Sequence, residues 1–242
     1  MHEYSTPSSA LLEQQAAWLA PARTRLLRRA GIARRRSILD LACGRGAVTE
    51  ELVRRGGGSV VALDCNRNAF EGNAPRFVGA TAVCASAEQL PLADGAFDLV
   101  FCQFALLWLD VPAAVREIRR VLAPGGALAA LEPDYGGMIE HPPEIATRDL
   151  WLAALSRAGA DPCVGRKLPG ILTAAGFAVH VELLDRLLPP SRVRFDLLGG
   201  LPLSDAENAR RRRAEQSDAG LDDSLRVVHL PMFSILAEIP GG

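Results

Sequence analysis

The chain is short of the features that usually settle a function quickly. Its five cysteines, Cys43, Cys65, Cys84, Cys102 and Cys163, include no Cys-x-x-Cys pair, and none of its four histidines is spaced to complete a zinc set. No metal site is expected. No apolar stretch reaches the roughly 20 residues needed to cross a bilayer, and the opening MHEYSTPSSALLEQQ lacks the charged-then-apolar layout of a signal peptide. A cytoplasmic protein with no membrane partner is the expectation. A net charge of −1 argues against a general nucleic-acid binder. Lysine is almost missing, Lys167 being the only one, which points to a GC-rich bacterial genome rather than to a task. What remains is 242 residues, 49% hydrophobic and 23% charged, enough for one substantial α/β core with a cap rather than two domains.

The informative stretch is SILDLACGRG, residues 37–46. The apolar run Ile38-Leu39-Asp40-Leu41 reads as a buried parallel strand, and it passes directly into Cys43-Gly44-Arg45-Gly46 and a helical segment through Val53. Glycines there let the backbone approach a ligand, and the unpaired N–H groups at a helix start favour an anionic or oxygen-rich group. Taken alone this is a weak signal, since glycine also serves tight turns that bind nothing. SVVALD, residues 59–64, then supplies a second strand ending in Asp64, about twenty residues after the glycines, where a doubly wound fold places an acid for ribose hydroxyls. Residues 83–104 read as a strand end, a short helix, an Asp-Gly turn and a strand from Phe97 to Phe101. Residues 117–133 read as an amphipathic helix closed by Pro-Gly-Gly and a fifth strand, Ala127 to Leu131.

These motifs, LDLACGRG, VVALD, AEQLPLADGAFDLV and REIRRVLAPGGALAALEP, in this order, resemble the class I S-adenosylmethionine-dependent methyltransferases, in particular the small-molecule type 11 group that includes ubiquinone, menaquinone and natural-product methyltransferases. The likeness is close over residues 34–134 and looser in GRKLPGILTAAGF (165–177) and the last strand. It implies a Rossmann-like, seven-stranded doubly wound sheet of order 3-2-1-4-5-7-6, its last strand antiparallel, and S-adenosyl-L-methionine as cofactor. It also implies roles: backbone around Ala42, Gly44 and Gly46 wrapping the methionine part, Asp40 organising that loop, and Asp64 accepting the ribose hydroxyls. Cys65 is placed against the adenine, Ser86 and Ala87 at the adenine edge, and Gln103 at the methionine end through its backbone. Two departures stand out. Ala42 replaces a frequent glycine, an exchange expected to be harmless because its methyl can point away. Ser86 replaces a frequent Asp, and a neutral hydroxyl accepts more weakly than a carboxylate. Ser86-Ala87-Glu88-Gln89 equally fits a capping box for the short helix.

Three segments outside the core can shape an acceptor pocket: residues 1–33 as a helical lid, a cap insert at 134–164, and an insert at 189–224, the latter two inside a methyltransferase domain of 34–242. The lid reads as a helix from Pro7 to Leu19, interrupted at Pro21 and resumed to Ala30, and the strands flanking the second insert as about 178–187 and 226–238. The run Arg210-Arg211-Arg212-Arg213 reads as a solvated helix face rather than a nucleic-acid patch. His141 and Tyr135 are the candidate catalytic bases, beside Gln103, Phe104 and Trp108 on one rim; His141 is as readily a loop residue, Trp108 as readily core as a cation cage, and His180 and His229 are structural. Four cysteines at strand ends suggest a soft-metalloid acceptor or, more simply, small buried residues. The implied reaction is methyl transfer to an oxygen or nitrogen of a small metabolite by a monomer or homodimer. The alternatives are a nicotinamide-dependent oxidoreductase, whose third glycine would fall at Thr49, and a cofactor-binding regulatory protein without transferase activity.

Overall fold

The structure is a computed structural model that describes residues 8–184 and 192–240. Its elements in chain order are α1 (Ser9–Arg29), β1 (Ser37–Leu41), α2 (Thr49–Arg55), β2 (Ser59–Asp64), β3 (Ala80–Cys84), β4 (Phe97–Gln103), α3 (Val111–Val121), β5 (Leu122–Pro133), β6 (Ile139–His141), α4 (Arg148–Arg157), α5 (Val164–Ala174), β7 (Ala178–Leu183), α6 (Val193–Gly199), α7 (Asp205–Ala219), β8 (Val227–His229) and β9 (Met232–Glu238). Seven strands form one sheet in the order β3-β2-β1-β4-β5-β9-β7. The first five are parallel, and β9 runs antiparallel to both its neighbours. Numbered within that sheet alone, the order is 3-2-1-4-5-7-6, the doubly wound arrangement expected.

Strand periodicity of two sorts the core into two layers. Leu39 and Leu41 of β1 and Val100 and Cys102 of β4 face the layer that contains α3 and α5. Ile38 of β1 and Leu99 and Phe101 of β4 face the layer of α1 and α2. By the same alternation Asp40 and Gln103 point to the α1 side. Helix α3 shows why the pattern was readable: Val111, Ala114, Val115, Ile118 and Val121 make one buried stripe, and the Asp110 side chain caps it by accepting from Ala113 N at 3.1 Å.

Several local expectations are corrected. Helix α1 is continuous through Pro21, because its buried face, Ala16, Leu19, Ala22, Leu26 and Leu27, outweighs the lost hydrogen bond. The expected strand 226–238 is broken at Leu230-Pro231: β8 leaves to pair with β6 in a separate two-stranded sheet, since a proline has no N–H for the ladder. Residues 86–89 form a turn rather than a short helix. Pro7, the end of the expected strand 178–187 and the start of the insert 189–224 lie outside the described residues. The remainder of that insert folds as α6 and α7, and in α7 Arg210, Arg212 and Arg213 are exposed while Arg211 reaches Glu215 at 3.2 Å.

Candidate functional site

In an open α/β sheet, ligands bind at the carboxyl ends of the strands where the winding direction reverses. Here that point lies between β1 and β4. Among the described residues, the non-glycine residues with positive φ are Ala42 (54°) and Phe104 (53°), the first residues beyond those two strands. Each left-handed non-glycine costs about 1–2 kcal/mol, and such strain collects at ligand sites. Alanine at 42 thus sits on a backbone suited to glycine.

The turn after β1 is held from β2. Asp64 Oδ2 accepts from Gly44 N at 2.8 Å, and Oδ1 accepts from Asn66 N at 2.9 Å. The direct bond to the loop thus belongs to Asp64, while Asp40 takes the Thr49 hydroxyl at 2.6 Å and anchors the start of α2. Burial pushes the Asp40 carboxyl up to about 7. The two glycines differ. A Cβ on Gly44 (φ 52°) would meet nothing within 4 Å, whereas one on Gly46 (φ 76°) would lie 2.9 Å from Phe77 Cζ and 3.0 Å from Arg76 Cβ. Gly44 borders open space; Gly46 is needed for packing against the segment after β2.

Arg23 was not foreseen. It is 4% exposed on α1, donates from Nε to Glu51 Oε2 at 2.7 Å, and donates from Nη1 to Ala16 O at 2.8 Å and Gln103 Oε1 at 3.1 Å. No hydrogen bond to a described residue uses Nη2. A buried cation holds only with such partners, and these tie the N-terminal helix to α2 and to the end of β4. A second tie, the Arg76–Glu13 ion pair, joins α1 to the segment after β2. The available signal was an arginine within the apolar stripe of α1, four residues after Leu19 and three before Leu26.

On the other flank, Cys65 and Cys84 are exposed, Cys43 and Cys163 half-buried, and Cys102 alone buried, which corrects the expectation that all four strand-end cysteines are buried. Ser86 Oγ accepts from Glu88 N at 3.1 Å, a turn bond rather than a helix cap, and Ala87 packs into the core beside it. Arg120 and Glu117 of α3 fix the segment that follows, through Leu90 O at 2.9 Å, Leu92 O at 2.8 Å and Leu90 N at 2.7 Å.

Comparison with known proteins agrees with this geometry. A family model described as a methyltransferase domain matches residues 39–130, the span from β1 through the core of β5. Over that span the chain is similar to a methyltransferase domain. It is 34% identical over 158 residues to a malonyl-(acyl-carrier protein) O-methyltransferase of Pseudescherichia vulneris, covering 65% of this chain and 58% of that protein. It is 40% identical over 111 residues to a demethylmenaquinone methyltransferase of Corynebacterium urealyticum, covering 46% of this chain and 47% of that one. The chain thus spans about half the length of these curated relatives. Among solved structures it resembles the (4+2)-cyclase SpnF, with a TM-score of 0.65, 20% identity and coverage of 99% of this chain and 86% of that one. It also resembles the geranyl diphosphate C-methyltransferase of Streptomyces coelicolor A3(2), with a TM-score of 0.60, 14% identity and coverage of 99% and 89%. At those identities the likeness is one of fold.

The other candidate residues lie beyond β4 and β5. Phe104 faces Trp18 of α1 with ring centroids 6.3 Å apart, and Trp108 is 41% exposed, so it is rim rather than core. Tyr135 is buried, stacked on Trp151 at 4.8 Å, with burial and the nearby Glu132 pushing its phenol well above the ordinary range. Glu132 is itself fully buried, accepts from Ala105 N and Leu106 N at 2.9 Å each, and is pushed up to about 7 by burial. It holds the turn that carries Trp108. His141 is exposed at the end of β6, in register with Val227 of β8 rather than in a loop. His229 lies half-buried on β8, and His180 on β7 stands 3.5 Å from Glu182. Among the described residues no three His, Cys, Asp or Glu side chains converge to hold a metal, and no helix is long and apolar enough to cross a membrane.

Proposed function

We propose that this chain binds S-adenosylmethionine in the crevice between β1 and β4 and transfers its methyl group to an oxygen or nitrogen of a small metabolite in the bacterial cytoplasm. The observation that carries the reading is the pair of strained residues, Ala42 and Phe104, directly after the two strands that flank the switch point, together with the open space beside Gly44. The donor set suits the cofactor. Backbone around Ala42, Gly44 and Gly46 would lie along the methionine part, with Asp40 and Thr49 fixing the helix below it. Arg23 offers Nη2 to a carboxylate, with Gln103 beside it. Each Asp64 oxygen keeps a lone pair for a ribose hydroxyl. Cys65, Ser86 and Ala87 border the adenine side. When bound, the cofactor supplies an electrophilic methyl on a sulfonium.

The protein's own work is then to align the acceptor and keep water out. Helix α1, pinned by Arg23 and Glu13, acts as the lid over residues 34–242, and Trp18, Phe104 and Trp108 offer apolar planar surface to the acceptor. Of the two candidate bases, Tyr135 is too deeply buried to lose its proton, and it orders the floor of the cap insert 134–164 instead. His141 is exposed beyond the end of β5 and takes the acceptor's proton where one must leave. His141→Ala should lower turnover by about 10²-fold with S-adenosylhomocysteine affinity intact; turnover within threefold of wild type would remove it from the chemistry. SpnF, a (4+2)-cyclase that shares this fold, favours a second reading in which the pocket serves something other than transfer. Transfer of labelled methyl from S-adenosylmethionine into a metabolite extract separates the two.

A further inference from the structure

Two thiols stand together on the β2–β3 side of the crevice. Cys84, the last residue of β3, is the register partner of Asp64, the last residue of β2, and Cys65 follows directly. Neighbouring strands are about 4.8 Å apart, which puts the two cysteine α-carbons at roughly 5–6 Å, inside the range that a disulfide spans. The Cys84 thiol already points along the shared edge, donating to the Cys65 carbonyl at 3.6 Å. Both residues are exposed, whereas Cys43, Cys102 and Cys163 are partly or wholly covered. Asn66 N donates to Asp64 Oδ1 at 2.9 Å, a tight side-chain turn that holds Cys65 at the end of β2.

We propose that Cys65 and Cys84 form a closable dithiol, a site of reversible oxidation by a disulfide such as glutathione disulfide, and that closure weakens cofactor binding. The chemistry balances without any other reactant. The Cys84 thiol loses its proton and attacks one sulfur of glutathione disulfide, forming a mixed disulfide and releasing one glutathione thiolate. The Cys65 thiol then loses its proton and attacks the Cys84 sulfur, releasing the second glutathione. Two protein thiols are oxidised by two electrons, and one glutathione disulfide is reduced to two thiols. Cys84 attacks first because its thiol is exposed at the end of β3, whereas partial burial and then the Asp64 carboxylate oppose an anion on Cys65.

The effect on binding rests on the proposed cofactor reading and has a route in the hydrogen bonds. Drawing Cys65 toward β3 pulls on Asn66, whose N–H holds Asp64 Oδ1, while Asp64 Oδ2 holds Gly44. A shift at 65–66 therefore reaches both the ribose acid and the glycine turn.

The test uses the full chain in buffers of set glutathione to glutathione-disulfide ratio, with alkylation and peptide mass mapping beside calorimetry with S-adenosylhomocysteine. The expected result is a Cys65–Cys84 link in the oxidising buffer, affinity lowered tenfold or more, and recovery on adding dithiothreitol. Cys84→Ser should keep its affinity in both buffers. Alkylation of Cys65 and Cys84 as free thiols in the oxidising buffer, or their appearance only in links to Cys43 or Cys163, overturns the dithiol. A Cys65–Cys84 link with unchanged affinity upholds the dithiol and overturns the placement of Cys65 beside the cofactor.

Discussion

Gly44 and Gly46 look interchangeable in the sequence, yet alanine at each should fail in a different way. At Gly44 the φ of 52° costs an alanine strain, but its Cβ meets no atom within 4 Å. The net loss should be about 1–2 kcal/mol from the left-handed backbone alone. At Gly46 the same strain is joined by contacts at 2.9 Å with Phe77 and 3.0 Å with Arg76, and overpacking adds about 1–3 kcal/mol. A chain of this size shifts its melting point about 2–4 °C per kcal/mol. Without ligand, Gly46→Ala should thus melt roughly 1.5–4 times as far below wild type as Gly44→Ala. With S-adenosylhomocysteine at a hundred times its dissociation constant, wild type should gain about 2.7 kcal/mol. If the Gly44 methyl fills ligand space and affinity falls about a hundredfold, Gly44→Ala gains only about 0.4 kcal/mol at that concentration. Paired thermal melts with and without ligand read both quantities. A Gly44→Ala protein that keeps the full ligand-induced rise, or equal losses for the two unliganded variants, would refute the assignment.

Asp64→Ala should weaken S-adenosylhomocysteine binding by about 2–4 kcal/mol in calorimetry, from two charge-assisted bonds partly replaced by water, and should also loosen the glycine turn that it clamps; unchanged affinity would exclude the ribose role. Ala42→Gly should raise stability to denaturant by up to about 1 kcal/mol, strain relief being partly offset by unfolded-chain entropy, and a loss instead would mean that the methyl packs usefully. Stability should fall as pH rises from about 4 to about 7. Asp40 and Glu132 are pushed up to about 7 when folded, so the native state holds protons that the unfolded chain releases near its ordinary carboxylate values. The paired acids Glu117 and Glu207, held down to about 2, act oppositely but only at lower pH. Urea midpoints at pH 5 and pH 8 check the sign, and Asp40→Asn should flatten part of the slope.

Which parts of the molecule were legible in the sequence follows from how far each interaction reaches. The strands, the glycine turn and α3 are written in short windows of alternating or helical hydrophobicity, so the doubly wound order and the place of the crevice could be read directly. Partnerships across the chain could not. Arg23 and Gln103 are 80 residues apart, and nothing local says that a cation in the α1 stripe will find an oxygen at the end of β4. Nor does a propensity argument see that the buried face of α1 carries the helix through Pro21, or that Pro231 hands the last strand from one sheet to the other.

The division of labour between the two aspartates shows the same limit and what lies behind it. Asp40, next to the end of β1, and Asp64, the end of β2, are two residues out of step, Asp40 pairing with Ala62 and Leu41 with Leu63. The register leaves Asp64 two residues further along the crevice, level with the turn rather than with β1. From there its carboxylate reaches Gly44 N, while Asp40, two residues lower, reaches Thr49. A motif places both acids near the cofactor loop; the register decides which of them touches it. The acid that clamps the loop stays half-exposed and able to meet a ligand, and the acid that anchors the helix is buried enough to be pushed up to about 7. Ligand affinity should therefore depend on Asp64, while the pH dependence of stability should depend on Asp40, together with Glu132.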